Sequence, residues 1–77
     1  MKKYIMTVEQ YVREKGITVT ESESIHTYGT TPKGNWFNLA EAGCDGYFCL
    51  TIRNEKETVL RKSRLLLQTA VKQIQEN

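Results

Sequence analysis

The chain has 77 residues, of which 39% are hydrophobic and 26% charged, and its formal net charge is +2. This length supports one modest core, because only domains below roughly 40 residues usually need a disulfide, a metal or a partner to fold. It leaves no room for a second domain, so we expect residues 1–77 to form one. The composition is ordinary for a globular chain, and no apolar run approaches the roughly 20 residues of a membrane span.

The N-terminus and the cysteines indicate a reducing compartment. Thr7 and Glu9 interrupt the opening segment before it could supply the apolar stretch of about 7 residues that a signal peptide needs. Two cysteines, Cys44 and Cys49, are too few for a disulfide-stapled secreted scaffold. We therefore expect free thiols and a cytoplasmic location.

The small net charge hides an uneven distribution along the chain. Residues 1–15 carry a net charge of +2, residues 16–52 a net charge of −3 and residues 53–77 a net charge of +3. A total of +2 is too small to establish a nucleic-acid partner. The distribution nevertheless predicts basic ends and an acidic middle.

A first helix is predicted over residues 8–15. Thr7 and Gln10 have the spacing of a capping box, in which each side chain bonds the other's backbone N–H. Gly16 suits the left-handed conformation that closes a helix. The apolar side chains that share one face are Val8, Tyr11 and Val12.

Strand patterns follow from residue 17. Residues 17–20 alternate with β-branched side chains, which favour a strand. Residues 25–28 could form a second strand or continue the first after a bulge. Residues 29–35 contain the only proline and are rich in turn-forming residues, so they predict an exposed loop.

The strongest local pattern is a β-hairpin. Residues 36–41 and 47–53 are two strand-like runs on either side of Gly43-Cys44-Asp45-Gly46, which supplies turn chemistry. An even-numbered loop pairs odd positions of one strand with even positions of the other. One face then carries an apolar set suited to the core, namely Phe37, Leu39, Phe48, Leu50 and Ile52.

The opposite face of this hairpin is the first candidate site. It carries Trp36, Tyr47 and Arg53, three residue types that dominate binding hot spots. If the helices cover only the apolar face, these side chains stand exposed and available to a partner. The alternative is that aromatic residues simply favour strands, or that the first helix or the early strands cover Trp36.

A long C-terminal helix is predicted over residues 57–75, which lack Gly and Pro and are rich in helix formers. One stripe of this helix is apolar and would pack on the sheet. Leu65 falls outside the stripe and could centre a protein or self-association contact. Basic side chains on the other side could lie along phosphates: Arg61, Lys62, Arg64 and Lys72.

No catalytic or metal constellation is visible. His26 is the only histidine, and nothing local, such as a nucleophile elbow, supports a pairing with Cys44 or Cys49. These three residues are one fewer than the four ligands of a structural zinc site, and the spacing of the two cysteines is only a weak indication of one. We therefore expect no catalytic residue, no metal and no cofactor.

With the hairpin of residues 36–53 counted as one β unit, these elements predict a small two-layer α+β domain of order α-β-β-β-α, or α-β-β-α if residues 17–28 are one strand. An antiparallel sheet would carry the C-terminal helix on one face. This order resembles in outline the double-stranded-RNA-binding domain and the small toxins that share its architecture. Residues 57–63 lack that domain's run of lysines, and His26 follows Ile25 rather than the toxins' Gly-Ser pair, so we assign no family.

Two function classes remain. The first is a non-enzymatic interaction or regulatory module that binds a protein, with a homodimer as one form, through Trp36, Tyr47, Arg53 and Leu65. The second is nucleic-acid binding through the basic C-terminal helix, with phosphate contacts from Lys2, Lys3, Arg61, Lys62, Arg64 and Lys72. An enzyme is not expected, and neither is a membrane partner.

Overall fold

The structure, a computed structural model, describes residues 7–23, 25–41 and 46–77. Within these ranges, five strands form one antiparallel sheet in chain order, so each strand pairs with its sequence neighbours. The α+β class with an antiparallel sheet is confirmed, but the sheet has more strands than predicted. The elements are α1 (Val8–Glu14), β1 (Thr18–Glu23), β2 (His26–Thr30), β3 (Trp36–Glu41), β4 (Phe48–Arg53), β5 (Thr58–Leu65) and α2 (Leu67–Glu76).

Helix α1 begins at the predicted capping box. The Gln10 backbone N–H donates to Thr7 Oγ1 at 3.1 Å, and the Thr7 backbone N–H donates to Gln10 Oε1 at 3.0 Å. These bonds satisfy first-turn donors that a helix cannot satisfy itself. The chain leaves the helix through Gly16, whose φ of 81° is one that residues with a Cβ rarely adopt.

Replacing Thr7 by alanine should lower the free energy of unfolding by about 1 kcal/mol, because the Gln10 N–H loses its acceptor. Urea denaturation monitored by circular dichroism measures the change. Thr7→Ser keeps the hydroxyl and is the control. An equal loss in both variants would show that the methyl group, not the cap, matters at this position.

Residues 17–28 form two strands, which decides the alternative left open by the sequence. Strand β2 extends further than predicted, through Gly29 and Thr30. Gly29 is therefore not a loop residue: a Cβ there would collide with the Thr18 carbonyl oxygen and lie 2.8 Å from a ring carbon of Phe37. The turn that follows is shorter, and the Thr31 N–H donates to the Asn35 carbonyl at 2.7 Å.

The predicted helix over residues 57–75 is wrong in its first half. Residues 58–65 form β5, an edge strand paired with β4, and α2 begins only at Leu67. Asn54 builds the connecting turn, because its Oδ1 accepts from the N–H groups of Lys56 and Glu57 at 2.7 and 2.8 Å. This hairpin lets β5 supply backbone partners to β4, and that pairing outweighs the helix propensity of the segment.

The core lies between the sheet and both helices, on one side of the sheet. Helix α1 contributes Val12, and α2 contributes Ala70, Val71 and Ile74. Val19 of β1 and Ile17, just before β1, belong to the same core. The hairpin contributes the apolar face that was predicted for it, namely Phe37, Leu39, Phe48, Leu50 and Ile52. The expectation that a C-terminal helix packs on one face of the sheet thus holds for the shorter α2.

Side-chain hydrogen bonds hold α2 against the rest of the fold. The Gln75 side chain donates to the Lys15 carbonyl at 3.1 Å, beyond the end of α1. The Asn35 side chain donates to the Asn77 carbonyl at 2.6 Å, at the turn between β2 and β3. Both helices are therefore held on the core side and leave the other side of the sheet uncovered by them.

Candidate interaction surface

The side of the sheet away from α1 and α2 is a second, largely polar surface, here called the open face. The β3–β4 register pairs Trp36 with Arg53, Asn38 with Thr51 and Ala40 with Cys49, which is the predicted division of the hairpin. In the described part of the chain, both helices pack on the other side. The open face includes Thr18, Glu21, Glu23, His26, Tyr28, Thr30, Trp36, Asn38, Ala40, Cys49, Thr51, Arg53, Thr58 and Arg61.

Charge is divided across the open face. One cross-strand row joins Glu21, Tyr28, Asn38, Thr51 and Arg61 in that order, from β1 to β5. A carboxylate therefore stands at one edge of the sheet and a guanidinium at the other. Glu21 and Glu23, two of the acidic residues of the middle segment, thus lie on the edge strand β1, and the three side chains between Glu21 and Arg61 are neutral.

The acidic edge carries Glu21 and Glu23, here called the acidic pair. Both project to the open face, since Glu21 lies opposite Tyr28 and Glu23 opposite His26. Glu23 raises the pKa of Glu21, first through a hydrogen bond between the side chains and then through its negative charge. Two negative charges lie close together at this edge, so a cation placed beside them would be stabilised.

The basic side carries Arg53 and Arg61, here called the basic pair. Arg53 lies opposite Trp36, and Arg61 lies opposite Thr51 on the neighbouring strand. A depression of about 370 Å³ lies between them. Its lining residues are Tyr28, Trp36, Phe37, Asn38, Thr51, Arg53 and Arg61.

Trp36 is the most prominent apolar feature of the open face. It lies on the central strand and is 55% exposed, so neither α1 nor the early strands cover it. A tryptophan leaves much apolar area in water at this exposure, and burying it against a partner is favourable. The exposure that the binding hypothesis requires is therefore present.

His26 makes structural contacts on the open face. Its ring stacks on Tyr28 with centroids 5.6 Å apart, and its Nδ1 lies 3.3 Å from Asn38 Oδ1. Cys49 is a free thiol in the same cross-strand row, but β3 separates the two strands. Their backbones are consequently about 10 Å apart, and the histidine is already engaged by its neighbours.

Tyr47 and Arg64 form a separate contact near the start of β4. The Arg64 guanidinium lies 4.8 Å from the centroid of the Tyr47 ring, within cation–π range. Arg64 has a φ of 56°, in the left-handed region, where β5 bulges opposite Cys49. No signal in the sequence pointed to this bulge, because bulges depend on pairing between strands.

The other predicted residues fall on different parts of the fold. Leu65 lies opposite Phe48 and packs against the core, so the structure separates it from Trp36. Lys62 lies opposite Leu50 and is therefore not on the open face. Lys72 is exposed on α2, so the basic residues do not share one helix, and Lys2 and Lys3 lie outside the described residues.

Within residues 7–23, 25–41 and 46–77, no group of three metal-ligating side chains is close enough to hold a metal ion. In the same ranges, no helix has the length and apolarity needed to cross a membrane. The predicted turn at residues 43–45 lies outside the described residues. The candidate site is thus defined by the open face alone.

Comparison with protein-family models, with curated proteins and with solved structures finds no match to this chain.

Proposed function

We propose that the protein is a non-enzymatic interaction module that binds another protein through the open face. The observation that carries the proposal is the 55% exposure of Trp36 at the start of the central strand of a sheet whose helices pack on the other side. A tryptophan beside arginines is the composition of a binding hot spot. The surrounding threonines and Asn38 supply the polar rim that non-obligate interfaces have.

Rigidity of the backbone supports the same proposal. Trp36 and Asn38 belong to the central strand, which is hydrogen-bonded on both sides, and the core side chains Phe37 and Leu39 alternate with them. Side chains on such a strand are held in register before a partner arrives. Little backbone conformational entropy is then lost on binding, which favours affinity.

Trp36→Ala should weaken capture of the protein partner by about 30-fold, the effect of losing a hot spot worth ~2 kcal/mol. The measurement is affinity capture with the immobilised chain from an extract of its source cells, followed by titration of the captured protein. Leu66→Ala is the matched control, because Leu66 is 51% exposed but lies next to α2.

Equal capture by the wild type and Trp36→Ala would place the binding surface elsewhere. Thermal unfolding should change little in either variant, because both side chains are about half exposed. The extract is treated with nuclease beforehand. Capture that disappears after this treatment would replace a protein partner by a nucleic acid.

Nucleic-acid binding is the second candidate function, and the basic pair is the observation that favours it. Arg53 and Arg61 border a depression that also holds Trp36 and Tyr28, and arginines beside aromatic rings suit the phosphates and bases of a single strand. The basic helix first expected for this role is replaced by β5. Binding of this kind falls steeply with salt, whereas the acidic pair on the same face opposes it.

A further inference from the structure

We propose that the partner of the open face is a second copy of this chain, stacked face to face about a twofold axis that runs roughly along β3. This inference rests on the proposed function, since it identifies the protein that the open face binds. The opposite charges at the two edges of the sheet and the symmetry of a dimer of identical chains fix the orientation.

Symmetry decides which edges meet. A twofold axis along the strands places β1 of one copy over β5 of the other, so the acidic edge meets the basic edge twice. A twofold axis across the strands would instead place β1 over β1 and β5 over β5, bringing like charges together. Charge complementarity therefore selects the axis along β3, which also keeps the strands of the two sheets aligned, as in β-sandwiches.

The register makes the match specific. Glu21 and Arg61 occupy the same cross-strand row, at its two ends. Rotation about β3 exchanges those ends, so Glu21 of each copy comes to lie over the partner's row at Arg61. Glu23 comes over the bulge that contains Arg64. The acidic pair, whose mutual repulsion nothing on its own strand relieves, then meets positive charge.

The tryptophans add an apolar contact on the twofold axis, at one end of the interface. Trp36 lies on the strand that the axis follows, so the tryptophans of the two copies meet near the axis and cover each other. Burial of two half-exposed indoles supplies the favourable term that charge pairs alone do not. Arg53 lies opposite Trp36 on β4, whereas the neighbours of Trp36 on β2 and further along β3, Thr30 and Asn38, are neutral.

The area of the open face fits a reversible dimer. Five strands spaced ~4.8 Å apart and about six residues long present a flat area of about 480 Å². Two copies then bury about 950 Å², close to the ~1,000 Å² at which a specific interface becomes plausible. The dimer should dissociate on dilution rather than being obligate.

Sedimentation equilibrium over a concentration series tests the proposal with charge reversals. Glu21→Arg and Arg61→Glu should each raise the dimer dissociation constant by about tenfold or more, because each reversal affects both symmetry-related pairs. An equimolar mixture of the two variants should associate about as well as the wild type. In the mixed dimer, the side chain introduced by Glu21→Arg faces the one introduced by Arg61→Glu, and the other contact is the native pair of Glu21 and Arg61.

Controls carry the same charge changes on the helix side of the molecule. Glu14→Arg on α1 and Lys72→Glu on α2 alter exposed residues away from the open face and should leave the dissociation constant within about twofold. Circular dichroism checks that all variants fold. Rescue in the mixture cannot come from a general effect of net charge on solubility.

Three results would overturn the inference. The first is a wild-type chain that stays monomeric throughout the concentration series. In that case the proposed function would still be supported if the wild type captured a different protein and Trp36→Ala did not. A dimer that ignores both reversals would exclude this orientation. A monomer that gains mass only with a single-stranded oligonucleotide would assign the open face to nucleic acid instead.

Discussion

Gly29→Ala is expected to lower the free energy of unfolding by about 3 kcal/mol, at the upper end of the cost of overpacking a core. The Cβ would collide with the Thr18 carbonyl oxygen and press on the Phe37 ring from 2.8 Å. The first obstacle is backbone, which can move only by disturbing the pairing of β1 with β2. A domain of this size is stable by only about 4–12 kcal/mol, so the variant should be much closer to unfolding.

Gly16→Ala is the control that separates crowding from backbone conformation. Gly16 has a φ of 81° but no atom within 4 Å of an added Cβ, so only the left-handed penalty of roughly 1–2 kcal/mol applies. Urea denaturation of both variants gives the comparison. A smaller loss at Gly29 than at Gly16 would contradict the close approach of β1, β2 and β3.

Leu50→Ala should cost about 2–5 kcal/mol, as large-to-alanine changes in cores do. Leu50 is 0% exposed on β4, between Leu39 of β3 and the edge strand β5. Helix α2 packs against the same strand, so the cavity would open at the contact between the two layers. Chemical denaturation measures the loss, and the slope with denaturant should stay the same if folding remains two-state.

Thr51→Ala tests the two-sidedness of the same strand. Thr51 follows Leu50 in the chain but points to the open face, opposite Asn38. Its replacement should cost at most about 1 kcal/mol, the span of strand propensity. Measurements at low protein concentration exclude a contribution from the proposed dimer. Comparable losses at both positions would mean that the open face is also part of a core.

Local chemistry explains the parts of the fold that the sequence predicts. The Thr7 and Gln10 capping box involves residues three apart, and it forms as expected. The two faces of the β3–β4 hairpin follow from the even number of residues in its loop, so the sequence alone places Trp36 and Arg53 on one face. Of the candidate site, these two residues and their shared face were predictable.

Long-range pairing explains what could not be predicted. Residues 58–65 favour a helix locally, and only the open edge of β4 makes them a strand. That error also misplaced Arg61, which reaches the open face through its pairing with Thr51. Gly29 was predicted to lie in a loop but lies in β2. A glycine that close strand packing requires cannot be told from a turn glycine by sequence alone.

The order of strands in the sheet has a consequence for how the chain folds. Every strand pairs with the next one along the chain, so each of the four pairings closes only a short loop. Proteins with such local contacts fold faster than other β-rich domains. The hydrogen bonds from Asn35 to Asn77 and from Gln75 to Lys15 join residues that are 42 and 60 positions apart. Docking of α2 on the sheet should therefore be the last step of folding, after the neighbouring strands have paired.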